Sequence, residues 1–203
     1  MSLDTPPPHD PTPAGARPAW RGLLDGAARL GGYSWLETRL FQITGAWSTE
    51  ESDPAVKLLL DAHSHQHAWH AEVWFARLPE LREVDAPALV TAPRAEVAEV
   101  LDDLAVTGGT VERLTGLYRV VVPHLLASYR ADLRSWNTLG DPSTRRWLGI
   151  VGDDLATSRQ EGEQVLLGRL RRGEDVDVAA ETQRRLERTL VLAGGPTGDH
   201  HPV

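Results

Sequence analysis

The chain has 203 residues, of which 41% are hydrophobic and 25% are charged, so it can bury a sizeable core as one domain. It contains no cysteine, which excludes disulfides, thiolate metal sites and cysteine nucleophiles. A formal net charge of −8 argues against a nucleic-acid partner, because counterion release needs a basic face. No apolar run is long enough to span a membrane, and Met1–Pro18 lacks the apolar stretch of a secretory signal, so we expect a cytoplasmic protein.

Composition predicts two tails around a helical region. Residues 1–22 are rich in proline and polar residues, and residues 194–203 have the same character, so both are predicted to be disordered. Between them we predict a helical bundle over residues 23–173 and an added C-terminal helix over residues 174–193. No strand-like alternation of any length occurs, so the expected fold class is all-α.

The first two predicted helices run over about 24–47 and 54–78. Spacings of three and four define an apolar stripe on the first helix, which includes Phe41, and Gly31-Gly32 is expected to bend that helix or delay its start. The second helix begins at Pro54 after Asp53, which is typical of a helix start.

The second half of the chain predicts another helix pair. Residues 79–93 are punctuated by proline and are too many for a tight loop, which indicates a crossover that lets the helices on either side of it run parallel. Helical patterns follow over 94–106, 110–136 and 142–173, and Pro123 is expected to kink the middle one. The segment 177–192 is amphipathic and is predicted to pack outside the bundle or on another subunit.

Ionisable side chains occupy the apolar stripes of three predicted helices. They are Glu37 on the first helix, His63, His67 and His70 on the second, and Asp154 and Glu161 on the last helix of the bundle. Counting about 1.5 Å per residue places Glu37 and the histidines at a similar depth. Buried ionisable groups are costly unless they are paired or bind a metal, so this pattern needs an explanation.

A metal site is the first explanation. Imidazoles at these spacings share one helix face, and carboxylates from facing helices supply charge for an ion. Iron or manganese suits such a set better than zinc, and Tyr118 or Tyr129 would donate a proton or an electron if the ion activates oxygen. The alternatives are a metal-free polar core with structural histidines and a small-molecule pocket built from the same groups.

The arrangement resembles the ferritin-like superfamily over about residues 24–170. The resemblance consists of an antiparallel helix pair, a long crossover and a second pair, together with Glu37 on the first helix and HSHQHAWHAE on the second. The segments YSWLETRLFQITGAW, HAWHAEVWFARLPEL and GTVERLTGLYRVVVPHLL are also similar to a group of actinobacterial proteins of this fold. That narrower similarity implies no activity.

The resemblance implies a ferritin-like antiparallel four-helix bundle with a mononuclear site, an altered site or a site that has lost its metal. In that superfamily each helix pair typically gives a lone Glu and then a Glu-x-x-His unit, which together hold two irons or manganeses. Glu37 matches the lone Glu, and His67 and His70 have the spacing of the second unit, with His67 where Glu is expected. The second pair departs from the pattern, because Asp154 is followed by Thr157 rather than by a histidine three residues on.

The functional expectation is therefore an iron- or manganese-dependent oxidoreductase that acts on a small-molecule substrate and forms a homodimer. The alternative is a metal-free bundle that acts through dimerisation or partner binding, with the core histidines in a structural role.

Overall fold

The computed structural model describes residues 22–80, 85–136 and 141–199. These residues form helices and no strand, which confirms the predicted all-α class. The α-helices are α1 (Leu23–Glu50), α2 (Pro54–Phe75), α3 (Ala95–Ala105), α4 (Thr110–Thr115), α5 (Val122–Ser135), α6 (Pro142–Leu167) and α7 (Gly173–Leu192). A 3-10 turn covers Ala86–Leu89, and a π-helical turn over Gly116–Val121 joins α4 to α5.

Helices α1 and α2 form an antiparallel pair joined by a tight turn. The Asp53 carboxylate accepts hydrogen bonds from the backbone N–H groups of Ala55 (2.9 Å) and Val56 (3.3 Å). These bonds satisfy donors that a helix start leaves unpaired, and Pro54 at the first helical position loses nothing there. The turn therefore fixes where α2 begins and how its residues align with those of α1.

Side-chain contacts give the directions of the other long helices. His63 contacts Tyr118 and, further along α2, Trp74 contacts Tyr129, so α2 runs parallel to the α4–α5 segment. On α6 the order is reversed, because His63 meets Glu161 and His70 meets Asp154. Helix α6 is therefore antiparallel to α2, and the chain between α2 and α4 must cross the length of the bundle.

The π-helical turn lies directly before Pro123. Proline has no N–H group to bond to the carbonyl of Arg119 four residues earlier, so a regular helix cannot pass through this point. The chain forms a widened turn at this point, and the predicted kink at Pro123 stays a prediction.

Gly31 and Gly32 do not interrupt α1, contrary to the expectation from their low helix propensity. A Cβ atom on Gly31 would lie 2.0 Å from the carbonyl oxygen of Leu89, and one on Gly32 would lie 3.1 Å from Pro93. These glycines therefore allow the crossover segment to pack directly on α1, and the tertiary contact outweighs their intrinsic propensity.

Two positions that the periodicity places on buried stripes are exposed. Phe41 retains 41% of its accessible surface, and the Glu161 side chain retains 57%. The buried face of α6 is offset from the predicted one and consists of Thr144, Leu148, Val151, Gly152, Leu155, Ser158, Gly162 and Leu166. Glu161 lies at the edge of that face because its neighbour Gly162 occupies the inward position.

Helix α7 packs on the outside of the α4–α5 segment and α3 through Ala179, Leu186 and Leu190, which are all buried. The chain then turns through Gly194, Gly195 and Gly198, which have positive φ values. The division of the chain into tails, bundle and added helix stays a prediction, and residues 1–21 and 200–203 lie outside the described residues. Within the described ranges, no helix combines the length and apolar character that a bilayer span requires.

Candidate metal centre

Glu37, His67 and His70 meet in the interior between α1 and α2. Glu37 lies on the buried face of α1, and the two histidines lie on the facing side of α2. One ligand atom from each side chain can be chosen so that all three lie within 4.8 Å of one another, and each residue is at most 1% exposed. The three residues are called the Glu37 cluster below.

Both oxygens of the Glu37 carboxylate accept hydrogen bonds. His67 Nδ1 donates to Oε2 over 2.6 Å, and the Tyr129 hydroxyl donates to Oε1 over 2.5 Å. Since an ionised carboxylate can only accept, His67 must carry its proton on Nδ1 in this arrangement. An ion that bound to this nitrogen would displace that proton.

His70 has no hydrogen-bond partner for either ring nitrogen, although both nitrogens are buried. Its Nδ1 lies 3.5 Å from Glu37 Oε1, and its Nε2 lies 3.6 Å from Asp154 Oδ2. Buried polar atoms without partners are rare and each needs an explanation. A ligand between His70 and Glu37 would provide one.

Asp154 lies on the far side of the His70 ring from Glu37. Its side chain is 40% exposed, so it connects the buried cluster to the solvent side of α6. A carboxylate in this position can accept the Nε2 proton of His70 and leave Nδ1 free to bind an ion, which is a common arrangement around metal-ligating histidines. Asp154 therefore fits an orienting role better than that of a ligand on the same side as Glu37.

Electrostatics couple Glu37 to the two histidines. Burial raises the pKa of the Glu37 carboxyl, but the charges of His70 and His67 outweigh it and hold that pKa well below its usual value. Burial lowers the pKa of His70, but the Glu37 carboxylate, with a smaller contribution from Asp154, reverses this and raises it above its usual value. The cluster thus favours an anion at Glu37 and a cation beside it.

His63 and Glu161 do not join the Glu37 cluster. His63 Nδ1 bonds to the Tyr118 hydroxyl over 2.7 Å, and its Nε2 bonds to Glu161 Oε2 over 3.0 Å. Of the six predicted ligands, the structure thus brings together Glu37, His67 and His70, places Asp154 beside His70, and puts His63 and Glu161 in a separate group with Tyr118.

An aromatic group borders the Glu37 cluster, and Tyr129 is its one member that the sequence analysis predicts as part of the site. The rings of Tyr33, Trp74 and Tyr129 pack with centroid distances of 4.6 to 5.5 Å, and Trp74 Nε1 donates to the Tyr129 hydroxyl over 3.0 Å. The Tyr33 hydroxyl in turn donates to the buried carboxylate of Asp132 over 2.8 Å.

Asp132 is the buried carboxylate on α5 that sequence reasoning missed. It is 2% exposed, and Arg29 Nε lies 3.1 Å from it. The spacing from Leu125 through Ser128 and Tyr129 to Asp132 continues the apolar stripe and was the signal that could have identified it. Because its partners are Tyr33 and Arg29, it contributes to the packing of α1 against α5 and not to the Glu37 cluster.

The donor set of the Glu37 cluster fits a first-row transition metal. Two imidazoles and one carboxylate are typical of mononuclear iron sites and are also compatible with manganese or zinc. The absence of a hydrogen bond at both nitrogens of His70, each 3.5–3.6 Å from a carboxylate oxygen, is the observation that favours an ion over a self-contained hydrogen-bond network. Comparisons of the chain with protein-family models, curated proteins and solved structures found no significant match.

Proposed function

We propose that this protein binds one iron or manganese ion at Glu37, His67 and His70 and uses it as an oxidoreductase on a small-molecule substrate. The observation that carries the proposal is a buried group of two histidines and one carboxylate in which neither nitrogen of His70 makes a hydrogen bond, although each lies within 3.6 Å of a carboxylate oxygen. Such a group costs free energy in an empty core and becomes favourable when an ion occupies it.

Neighbouring residues orient the three proposed ligands. Tyr129 donates to one oxygen of Glu37 and leaves the other oxygen to face His67. Asp154 Oδ2 lies 3.6 Å from His70 Nε2, where it would accept the Nε2 proton and direct Nδ1 toward Glu37 when an ion is bound. When bound, a redox-active ion would supply one-electron exchange with oxygen or substrate, while the surrounding aromatic side chains keep bulk water out of the site.

The helix directions support a ferritin-like bundle as the scaffold of this site. Helices α1 and α2 are antiparallel, a long crossover follows, and α2 then runs parallel to the α4–α5 segment. The residues favour one ion over the paired ions of the superfamily pattern. The buried carboxylate of α5, Asp132, is engaged by Tyr33 and Arg29, and Asp154 of α6 is followed by Thr157 rather than by a histidine.

A metal-free bundle that acts through dimerisation is the second candidate, and one observation favours it. Both oxygens of Glu37 already have hydrogen-bond donors, so this part of the core is satisfied without an ion. In this case His67 and Glu37 would form a structural pair, and His70 would be a cation between Glu37 and Asp154 without a hydrogen bond.

Elemental analysis of the purified full-length chain separates the two candidates. The protein is expressed with iron, manganese and zinc supplied separately, and the bound metal is counted per chain. We expect about one equivalent of iron or manganese in the wild type and its loss in His67→Ala and His70→Ala, because each change removes one of three ligands. His65→Ala is the matched control, because His65 lies on the same helix with a side chain that is 78% exposed.

The metal-binding proposal fails if the wild type contains no metal, or if His65→Ala loses as much metal as His70→Ala. Zinc alone, at one equivalent, would keep the site but exclude its redox role. Light scattering on the same samples measures whether the chain is a dimer, and a metal-free dimer would support the second candidate.

A further inference from the structure

Tyr118, His63 and Glu161 form a hydrogen-bonded row from the core to the surface. Tyr118 is 1% exposed, His63 is 4% exposed, and the Glu161 side chain is 57% exposed. Glu161 can only accept, so His63 donates its Nε2 proton to Oε2 over 3.0 Å. A neutral His63 then accepts the hydroxyl proton of Tyr118 at Nδ1 over 2.7 Å. The metal-binding proposal does not use this row.

The backbone is shaped to hold Tyr118 in this position. Tyr118 lies within the π-helical turn, an irregularity that is frequent at functional sites. The ring lies against Gly162 on α6, where a Cβ atom would come within 2.3 Å of it. A helix defect on one side and a glycine on the other therefore place one hydroxyl against one imidazole.

We infer that Tyr118, His63 and Glu161 form a proton-coupled redox relay, with Tyr118 as the side chain that is oxidised. One electron leaves the Tyr118 ring for a one-electron oxidant. At the same time the phenolic O–H bond breaks, and a new N–H bond forms at His63 Nδ1. The products are a neutral tyrosyl radical and a His63 cation that the Glu161 carboxylate balances. Reduction by one electron returns the proton to Tyr118.

The chain has three tyrosines, and their hydrogen-bond partners distinguish them. The hydroxyls of Tyr33 and Tyr129 donate to the carboxylates of Asp132 and Glu37. A carboxylate is an intrinsically weaker base than an imidazole. The Asp132 carboxylate also faces Arg29, and the Glu37 carboxylate faces the protonated Nδ1 of His67. Among the contacts of the described residues, the Tyr118 hydroxyl is the one that donates to an imidazole, so its oxidation has the best proton acceptor.

Two features keep His63 ready to accept a proton. Burial lowers its pKa, and the nearby His67 adds to this, while the hydrogen bond to Glu161 opposes it. His63 is therefore neutral before the reaction, as an acceptor must be. Glu161 at the surface then offers the transferred charge a route to solvent.

The identity of the oxidant rests on the proposed function, since an oxidised transition metal at the Glu37 cluster would be the natural oxidant of Tyr118. His63 and His67 lie one helical turn apart on α2, and their charges influence each other. The relay itself is a property of the chain's own residues. It can therefore be tested in metal-free protein with an external oxidant.

The test uses full-length protein stripped of metal and a photogenerated ruthenium(III) tris-bipyridine complex as the oxidant. A tyrosyl radical is followed by its transient absorption and by electron paramagnetic resonance after freezing. We expect the radical in the wild type, in Tyr33→Phe and in Tyr129→Phe, and its loss in Tyr118→Phe. The variants are matched because each removes only a hydroxyl group, and circular dichroism checks that each is folded.

Glu161→Gln keeps the test decisive if Tyr118→Phe does not fold, because the Glu161 side chain is mostly exposed. We expect a severalfold lower radical yield and a reduced solvent deuterium isotope effect, since the neutral amide no longer balances the His63 cation. An unchanged yield and isotope effect in Glu161→Gln, or a radical that persists in Tyr118→Phe, overturns the relay. A metal-free wild type without any tyrosyl radical overturns it as well, whatever the metal analysis shows.

Discussion

At the scale of single residues, two histidines on one helix are shifted in opposite directions. His70 is paired with Glu37 and has a raised pKa, whereas His63 is buried against Tyr118 and has a lowered pKa. Neither shift could be assigned from the sequence, because the shifts depend on which groups face each ring across the bundle. The same residue type thus serves as a cation beside a carboxylate at one position and as a neutral base at the other.

These shifts predict opposite contributions to the pH dependence of stability in metal-free protein. The raised pKa of His70 stabilises the fold below its unfolded value of about 6.5, and this contribution is lost as pH rises through the folded pKa. The lowered pKa of His63 acts in the other direction, because its contribution is full above about 6.5 and is lost as pH falls.

Urea unfolding of His70→Gln and His63→Gln across this pH range measures both contributions. The unfolding free energy of the wild type should fall at higher pH because of His70, and this fall should be absent in His70→Gln. It should also fall at lower pH because of His63, and that fall should be absent in His63→Gln. If the unfolding free energies of the two variants and of the wild type vary with pH in the same way, the assigned pKa shifts of His70 and His63 are contradicted. The exposed His65 provides the reference substitution, His65→Gln.

At the scale of helices, the sequence predicts more of the architecture than of the site. Apolar periodicity and the Asp53-Pro54 start locate most helix ends to within about four residues, because these signals are local, whereas α6 ends at Leu167 and not at residue 173. The exposure of Glu161 was not predictable in the same way. It depends on the rotation of α6, which is set by Gly162 packing against the ring of Tyr118.

The site residues show the same limit of prediction from local sequence patterns. The histidine spacing on α2 predicts that His63, His67 and His70 share a face, and all three are buried. Their division into two groups follows from the partners that α4–α5 and α6 present. Asp132 and Tyr33 satisfy each other across α1 and α5, and a pairing between residues 99 positions apart leaves no trace in local periodicity.

The contact between Gly162 and Tyr118 predicts a large effect of one added methyl group. Gly162→Ala should lower the unfolding free energy by about 1–3 kcal/mol, since the new Cβ overlaps the Tyr118 ring. Gly149→Ala on the same helix meets nothing within 4 Å and should be neutral or stabilising by up to about 1 kcal/mol. Urea unfolding of both variants provides the comparison, and equal effects would show that α6 does not pack on Tyr118 in this way.

At the scale of the whole molecule, metal binding and folding should be linked. The ligands come from α1 and α2, so an ion at the Glu37 cluster binds the folded chain and not the unfolded one. At a free ion concentration 100 times the dissociation constant, the unfolding free energy should rise by about 2.7 kcal/mol.

Thermal unfolding with and without manganese(II) measures this linkage. The melting temperature should rise in the wild type and in His65→Ala and stay unchanged in His70→Ala. A similar rise in all three proteins would indicate that the ion acts elsewhere, for instance at His124 and Glu187, whose side chains lie 2.6 Å apart near the surface. Dimerisation stays a prediction, and light scattering at several protein concentrations tests it.

The central claim is that an ion occupies the space between Glu37, His67 and His70. Anomalous diffraction from crystals of the full-length chain loaded with manganese or iron tests it most directly, because the signal locates the ion itself. We expect one strong peak at bonding distance, about 2.0–2.2 Å, from a Glu37 oxygen and from one nitrogen of each histidine. A core without a peak, with His70 still lacking a partner, or a peak only at surface residues would contradict it.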